Sequence, residues 1–110
     1  MGSSDEVRGA ERRQHARVPG PFDGWRISVL PIPVQIYDLS QGGCFVNSLH
    51  EQKPGITVVL EIELPGEGRI KVKGETLYAK PGFGYAVRFV DMPSDLPMRI
   101  EDALRRLQEE

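Results

Sequence analysis

The stretch "ITVVLEIEL", residues 56–64, carries an apolar side chain at every second position: Ile56, Val58, Leu60, Ile62 and Leu64. Thr57, Glu61 and Glu63 lie between them. A period of two sends one set into a core and the other into water, which defines a strand in a sheet with one wet face. "PGEG", residues 65–68, then reads as a hairpin turn. Beyond it Ile70 and Val72 open a further strand, whose apolar parity changes by Leu77 and Ala79; a bulge near Gly74 accounts for the shift. "PGFG", residues 81–84, makes the next turn, and Phe83, Tyr85, Val87 and Phe89 alternate along the strand after it.

The same period runs upstream. Trp25, Ile27 and Val29 alternate with Arg26 and Ser28, with Trp25 expected as an anchor of the core. Pro31 and Pro33 bracket a turn, Val34, Ile36 and Tyr37 form a second strand, and "GGCFVNS" (42–48) a third with Cys44 in the core. After residue 93 the period becomes helical. Ser94 or Asp95 caps the start, Pro97 suits the first turn, and Leu96, Ile100, Ala103, Leu104 and Leu107 form one apolar stripe. The expected architecture is mostly β: a six-stranded antiparallel β-barrel plugged or flanked by a C-terminal α-helix. Residues 1–11 are polar and aperiodic and read as a flexible N-terminal arm, leaving residues 12–108 as the domain.

Length and charge narrow the function. A chain of 110 residues holds one core and not two. A net charge of −2 and a pI near 5.7 argue against a general DNA or RNA coat, so an anionic partner is small or contacted locally. No run of 18 apolar residues marks a membrane span, and the start lacks the apolar core of a signal peptide, which points to the cytoplasm. A single cysteine makes neither an intrachain disulfide nor a thiolate cluster. His15 and His50 lack any H-E-x-x-H pattern, so no metal is expected, and His15 reads as an exposed spacer.

Against this mildly acidic background, "RRQHAR" (12–17) crowds three arginines into six positions. Arg13 and Arg17, in extended chain, stand roughly 13 Å apart, too far to seize one phosphate but suited to two parts of a larger ligand. A guanidinium fork matches phosphate oxygens and the O6/N7 edge of guanine, and its flat face stacks on a purine. In "DLSQGG" (38–43), Asp38 and Ser40 lie two apart at a strand end and start on one face. The Asp38 carboxylate can accept the N1–H and N2–H₂ donors of guanine. The Ser40 hydroxyl can serve phosphate or base. Gly42 and Gly43 permit positive φ and close approach of backbone to ligand. Together these residues suit a guanine nucleotide.

Arg13-x-x-x-Arg17, followed about twenty residues later by Asp38-x-Ser40-x-x-Gly43, resembles the PilZ domain, a family of bacterial cyclic di-GMP receptors. "GFGYAVRFVD" (82–91) resembles the family's late strand, and the likeness runs over roughly residues 11 to 108. It implies a six-stranded barrel with an adjacent helix, and cyclic di-GMP contacts at Arg13, Arg17, Asp38, Ser40 and Gly43. By the same resemblance, an arginine at position 12 goes with two intercalated ligand molecules per chain. No cofactor is implied. A chain with no room for an output domain would pass its signal to a downstream protein or to another part of a longer parent.

Two other classes of function compete with a receptor. A hydrolase assembled from Ser40, Asp38 and a histidine lacks the G-x-S-x-G elbow, and its acid would have to orient a distant base. A scaffold that keeps the fold and works only through protein contacts is opposed by the intact motif.

Overall fold

The structure, a computed structural model, describes residues 15–50 and 52–109. The arm and both Arg12 and Arg13 lie outside the described residues. Among the described residues, seven strands and one helix follow in order: β1 (Arg17–Val18), β2 (Phe22–Ile27), β3 (Pro31–Ser40), β4 (Gly43–Asn47), β5 (Thr57–Leu64), β6 (Gly68–Lys80), β7 (Gly84–Val90) and α1 (Leu96–Glu109).

All pairings are antiparallel, in the order β1-β3-β2-β5-β6-β7-β4, and β4 pairs back onto β3. The strands from β3 round to β4 thus close a six-stranded barrel, which removes the free edges of an open sheet. The short β1 lies outside that ring and pairs with the end of β3, Arg17 opposite Ser40 and Val18 opposite Leu39.

The alternation of β5 holds as read: Val58, Leu60, Ile62 and Leu64 are buried, while Ile56 stays exposed ahead of the strand. Tyr85, Val87 and Phe89 also point inward, but Phe83 belongs to the turn and is 65% exposed. Helix α1 closes the β1/β3 side with Leu96, Ile100, Ala103 and Leu104 buried in the same core. Asp95 offers the carbonyl that accepts the first helical bond, from Arg99 N–H at 3.2 Å.

Three local readings are corrected. The parity of β2 is opposite to that expected: Phe22 and Gly24 face inward, and Trp25 lies on the outer surface beneath the Arg69 guanidinium, 3.7 Å from its ring centre. A glycine fills the inner position because Ile36 Cγ1 and Glu61 O would stand 2.8 and 2.9 Å from any Cβ there. Arg26, next on that parity, is half-buried with its Nε shielded from solvent.

The turn after β2 comes earlier than the prolines, at residues 28–30, and leaves Val29 97% exposed. Pro31 and Pro33 belong to β3, paired with Ile27 and Trp25 on a stretch where β4 has not yet joined. A residue without N–H is tolerated where a strand has one neighbour.

The third correction concerns the bulge of β6, which sits between Thr76 and Tyr78 and not at Gly74. Leu77 is the extra residue, so Leu77 and Tyr78 are both exposed and Ala79 turns back toward the core. Gly74 has another reason: a Cβ there would run into the side chain of Val87.

Candidate functional site

Pairing of β1 with β3 sets Arg17 beside Ser40, although twenty-odd residues of chain separate them. Both line a groove of about 610 Å³ on the outside of the barrel, together with Asp38, Gly42 and Gly43. Of the residues singled out from sequence, these five converge; Arg12 and Arg13 lie outside the described residues.

Asp38 owes its position to a bulge. Between Tyr37 and Ser40 the register of β3 against β4 shifts by one residue, and Asp38 takes a left-handed conformation with φ 51°. Aspartate is among the few residues that visit this region without a large penalty. Its N–H donates to Pro19 O at 3.1 Å, which ties the bulge to the chain leaving β1. The carboxylate is exposed, Leu39 beside it is fully buried, and Ser40 is nearly so. The Ser40 hydroxyl accepts the Gly42 N–H at 3.3 Å and lies 3.5 Å from the Gly43 carbonyl, shaping the turn between β3 and β4. It is thus engaged with backbone, and His15 instead hydrogen-bonds the Gln41 side chain.

The positive φ that Gly42 and Gly43 permit is used by neither, and in this stretch it falls on Asp38. The two glycines differ. A Cβ on Gly43 would strike the Val87 carbonyl of the paired strand, whereas one on Gly42 meets nothing within 4 Å. Gly43→Ala is therefore expected to cost about 1–3 kcal/mol of stability in denaturant titration, and Gly42→Ala to stay within about 0.5 kcal/mol of the parent. Equal stability for the two variants would contradict this packing.

Sequence reasoning missed the aromatic part of the lining. Phe45, Tyr78 and Phe83 line the groove, with Tyr78 51% exposed, and Lys80 and Arg88 add cationic ends. Lys80 Nζ lies 5.9 Å from the Phe45 ring centre, and Arg88 pairs with Glu75 at 3.4 Å. The signal was faint: Phe45 sits on the outward parity between Cys44 and Val46, and Tyr78 reaches the outer face through the bulge. Cys44 touches the groove floor, but burial pushes its thiol up to about 12, so it stays a protonated and inert side chain. A second depression of about 510 Å³ adjoins the groove, shares Arg17, Ser40 and Gly42 with it, and adds His15, Gln41 and Pro97.

The electrostatics are mixed rather than uniformly basic. Arg17, Lys80 and Arg88 line the same groove as one carboxylate, Asp38, which suits a ligand that has both anionic groups and hydrogen-bond donors. Among the described residues, no cluster of three metal-ligating side chains occurs, and no helix is long and apolar enough to cross a membrane.

The sequence profile of the family described as "PilZ domain" matches residues 11–107. Among solved structures, the chain is similar to the Bacillus subtilis inhibitor of motility, MotI/DgrA, with a TM-score of 0.71 and 19% identity. That match covers 89% of this chain and 51% of the other, so the chain spans about half the length of MotI/DgrA. It is also similar to the PilZ domain of YcgR from Escherichia coli, solved with c-di-GMP, with a TM-score of 0.63 and 12% identity over 86% of this chain and 88% of that one. At these identities the likeness concerns the fold. No curated protein matches the sequence.

Proposed function

Because the chain belongs to the PilZ domain family, we propose that it is a cytoplasmic cyclic di-GMP receptor that closes its arginine arm over the ligand and relays the signal to a downstream protein. It carries out no catalysis of its own. The observation that carries this reading is the convergence of Arg17, Asp38 and Ser40 on one groove that aromatic side chains also line. Arg17, with Arg12 and Arg13 just upstream, supplies forks for phosphate and for the O6/N7 edge of guanine. Asp38 accepts from the donor edge. Tyr78 and Phe83 offer flat apolar surface to a base. Ordering the arm costs entropy, which the new charge-assisted contacts offset.

Titration of cyclic di-GMP into the purified chain, followed by heat, tests the reading. Failure to bind any guanine nucleotide would favour the scaffold alternative, and turnover to linear pGpG would favour a hydrolase. Selectivity tests Asp38. Asp38→Ala and Asp38→Asn should both weaken cyclic di-GMP, since an amide presents one acceptor to two donors, and neither should gain cyclic di-AMP. Wild type that binds cyclic di-AMP equally well would remove Asp38 from the guanine edge.

The expected stoichiometry is two ligands per chain. Two molecules bring four phosphate charges together, and Arg12 can neutralise one while stacking on a purine. The adjoining depression that shares Arg17 gives room beside the main groove, which supports the count. Arg12→Leu should reduce the number to one while keeping measurable affinity. A sharp equivalence point at one ligand for wild type, at physiological ionic strength, would leave Arg12 as a solvated charge worth little in salt.

A further inference from the structure

Among the charged residues of helix α1, one is buried, and the receptor reading leaves it unused. Glu101 lies among the buried residues of the helix at 5% exposure, beside Ile100, Ala103 and Leu104. A carboxylate withdrawn from water is costly unless both oxygens are engaged. Here they are. Glu101 Oε1 and Oε2 accept the Ala16 N–H at 3.0 and 2.9 Å, and Arg105 Nε lies 2.7 Å from Oε2. Gln41 Nε2 stands 3.5 Å from Oε1, and His15 Nδ1 4.0 Å.

The partners are placed with consequence. Ala16 immediately precedes Arg17, and Gln41 immediately precedes Gly42, so one side chain joins the two halves of the groove. Two turns further along α1, Gln108 Nε2 donates to the Arg17 carbonyl at 3.2 Å. The helix therefore grips the backbone on both sides of the Arg17 Cα. Such a grip matters because β1 is two residues long, and so short a pairing is weak by itself.

We propose that Glu101, assisted by Gln108, is the positioning residue of the groove. It holds the Arg17 backbone at a set place relative to the Gln41–Gly43 turn, so that this stretch of backbone does not have to be ordered when a ligand binds. Glu101 does not touch the ligand. The proposal rests on the receptor reading for the identity of that ligand, and on the contacts above for the tether itself.

A double-mutant cycle on the full chain tests it. Glu101→Gln keeps the shape of the side chain but loses its charge and one acceptor. It should speed amide exchange at Ala16 in the ligand-free protein, with β5 amides unchanged, and weaken cyclic di-GMP by about five- to tenfold. In an Arg17→Ala background the same change should cost less than about twofold, because the residue it positions has gone. A purely structural role would give additive losses, and additivity overturns the proposal, as does unchanged affinity or unchanged exchange at Ala16. Should Glu101→Gln unfold the chain, Gln108→Ala, at an exposed site, carries the same cycle with about a two- to threefold loss expected. Wild type that takes up no cyclic di-GMP would overturn the receptor reading and with it the ligand role of Glu101, while exchange at Ala16 still decides the tether.

Discussion

Replacing Arg17 with alanine is expected to weaken cyclic di-GMP binding by about 1–3 kcal/mol, the scale of one lost bidentate contact. At 1.4 kcal/mol per decade this is roughly fivefold to more than a hundredfold in affinity. Arg13→Ala should fall in the same range by the same chemistry. The thermal midpoint of the ligand-free Arg17→Ala protein should barely move, since its side chain is exposed and only its backbone is held, by Ser40 in the ladder and by Gln108. Arg17→Lys should restore only part of the affinity, because an ammonium neither forks across two oxygens nor stacks on a base. If both alanine variants bind as wild type does in calorimetry, the ligand is held elsewhere.

The second large effect concerns stability. Leu60→Ala should cost about 2–5 kcal/mol in denaturant unfolding. Leu60 is fully buried in β5, which is paired along its length with β6 and partly with β2, so the barrel wall has little freedom to collapse into the void. Trp25→Ala, by contrast, should cost only about 1 kcal/mol, despite removing the largest side chain in the molecule. Its ring lies on the outer surface, and the main loss is the stacked Arg69 guanidinium. A Trp25→Ala loss as large as that of Leu60→Ala would place the indole in the core and contradict the register of β2.

How much was legible from sequence depended on how far apart the deciding residues lie along the chain. The strand at 57–64, the buried positions of β7 and the stripe of α1 could be read because one pattern dominates each segment. Over residues 22–29 two patterns competed: Trp25, Ile27 and Val29 are the bulkier set, but Phe22 and Gly24 of β2 are the set that faces inward. What decides between them is the side chain of Ile36 on the neighbouring strand, which occupies the space over Gly24. A one-residue slip turns every side chain to the other face, and nothing local in "WRISV" reports on Ile36.

The candidate site divides in the same way. The two clusters, Arg12, Arg13 and Arg17 on one side and Asp38, Ser40, Gly42 and Gly43 on the other, stand out in the chain because motif chemistry is local. The strand-rich class and the closing helix stand out as well, since periodicity is local too. Long-range pairing is what lays β1 along β3, makes Leu77 and not Gly74 the bulge that turns Tyr78 outward, and gives Asp38 the left-handed turn. The burial of an acidic residue near the far end of the chain is likewise a long-range outcome. In sequence Glu101 is one charge in a helix rich in them. It is withdrawn from water because the Ala16 N–H and the Arg105 guanidinium meet it there, and a partner 85 residues away leaves no trace in a local pattern.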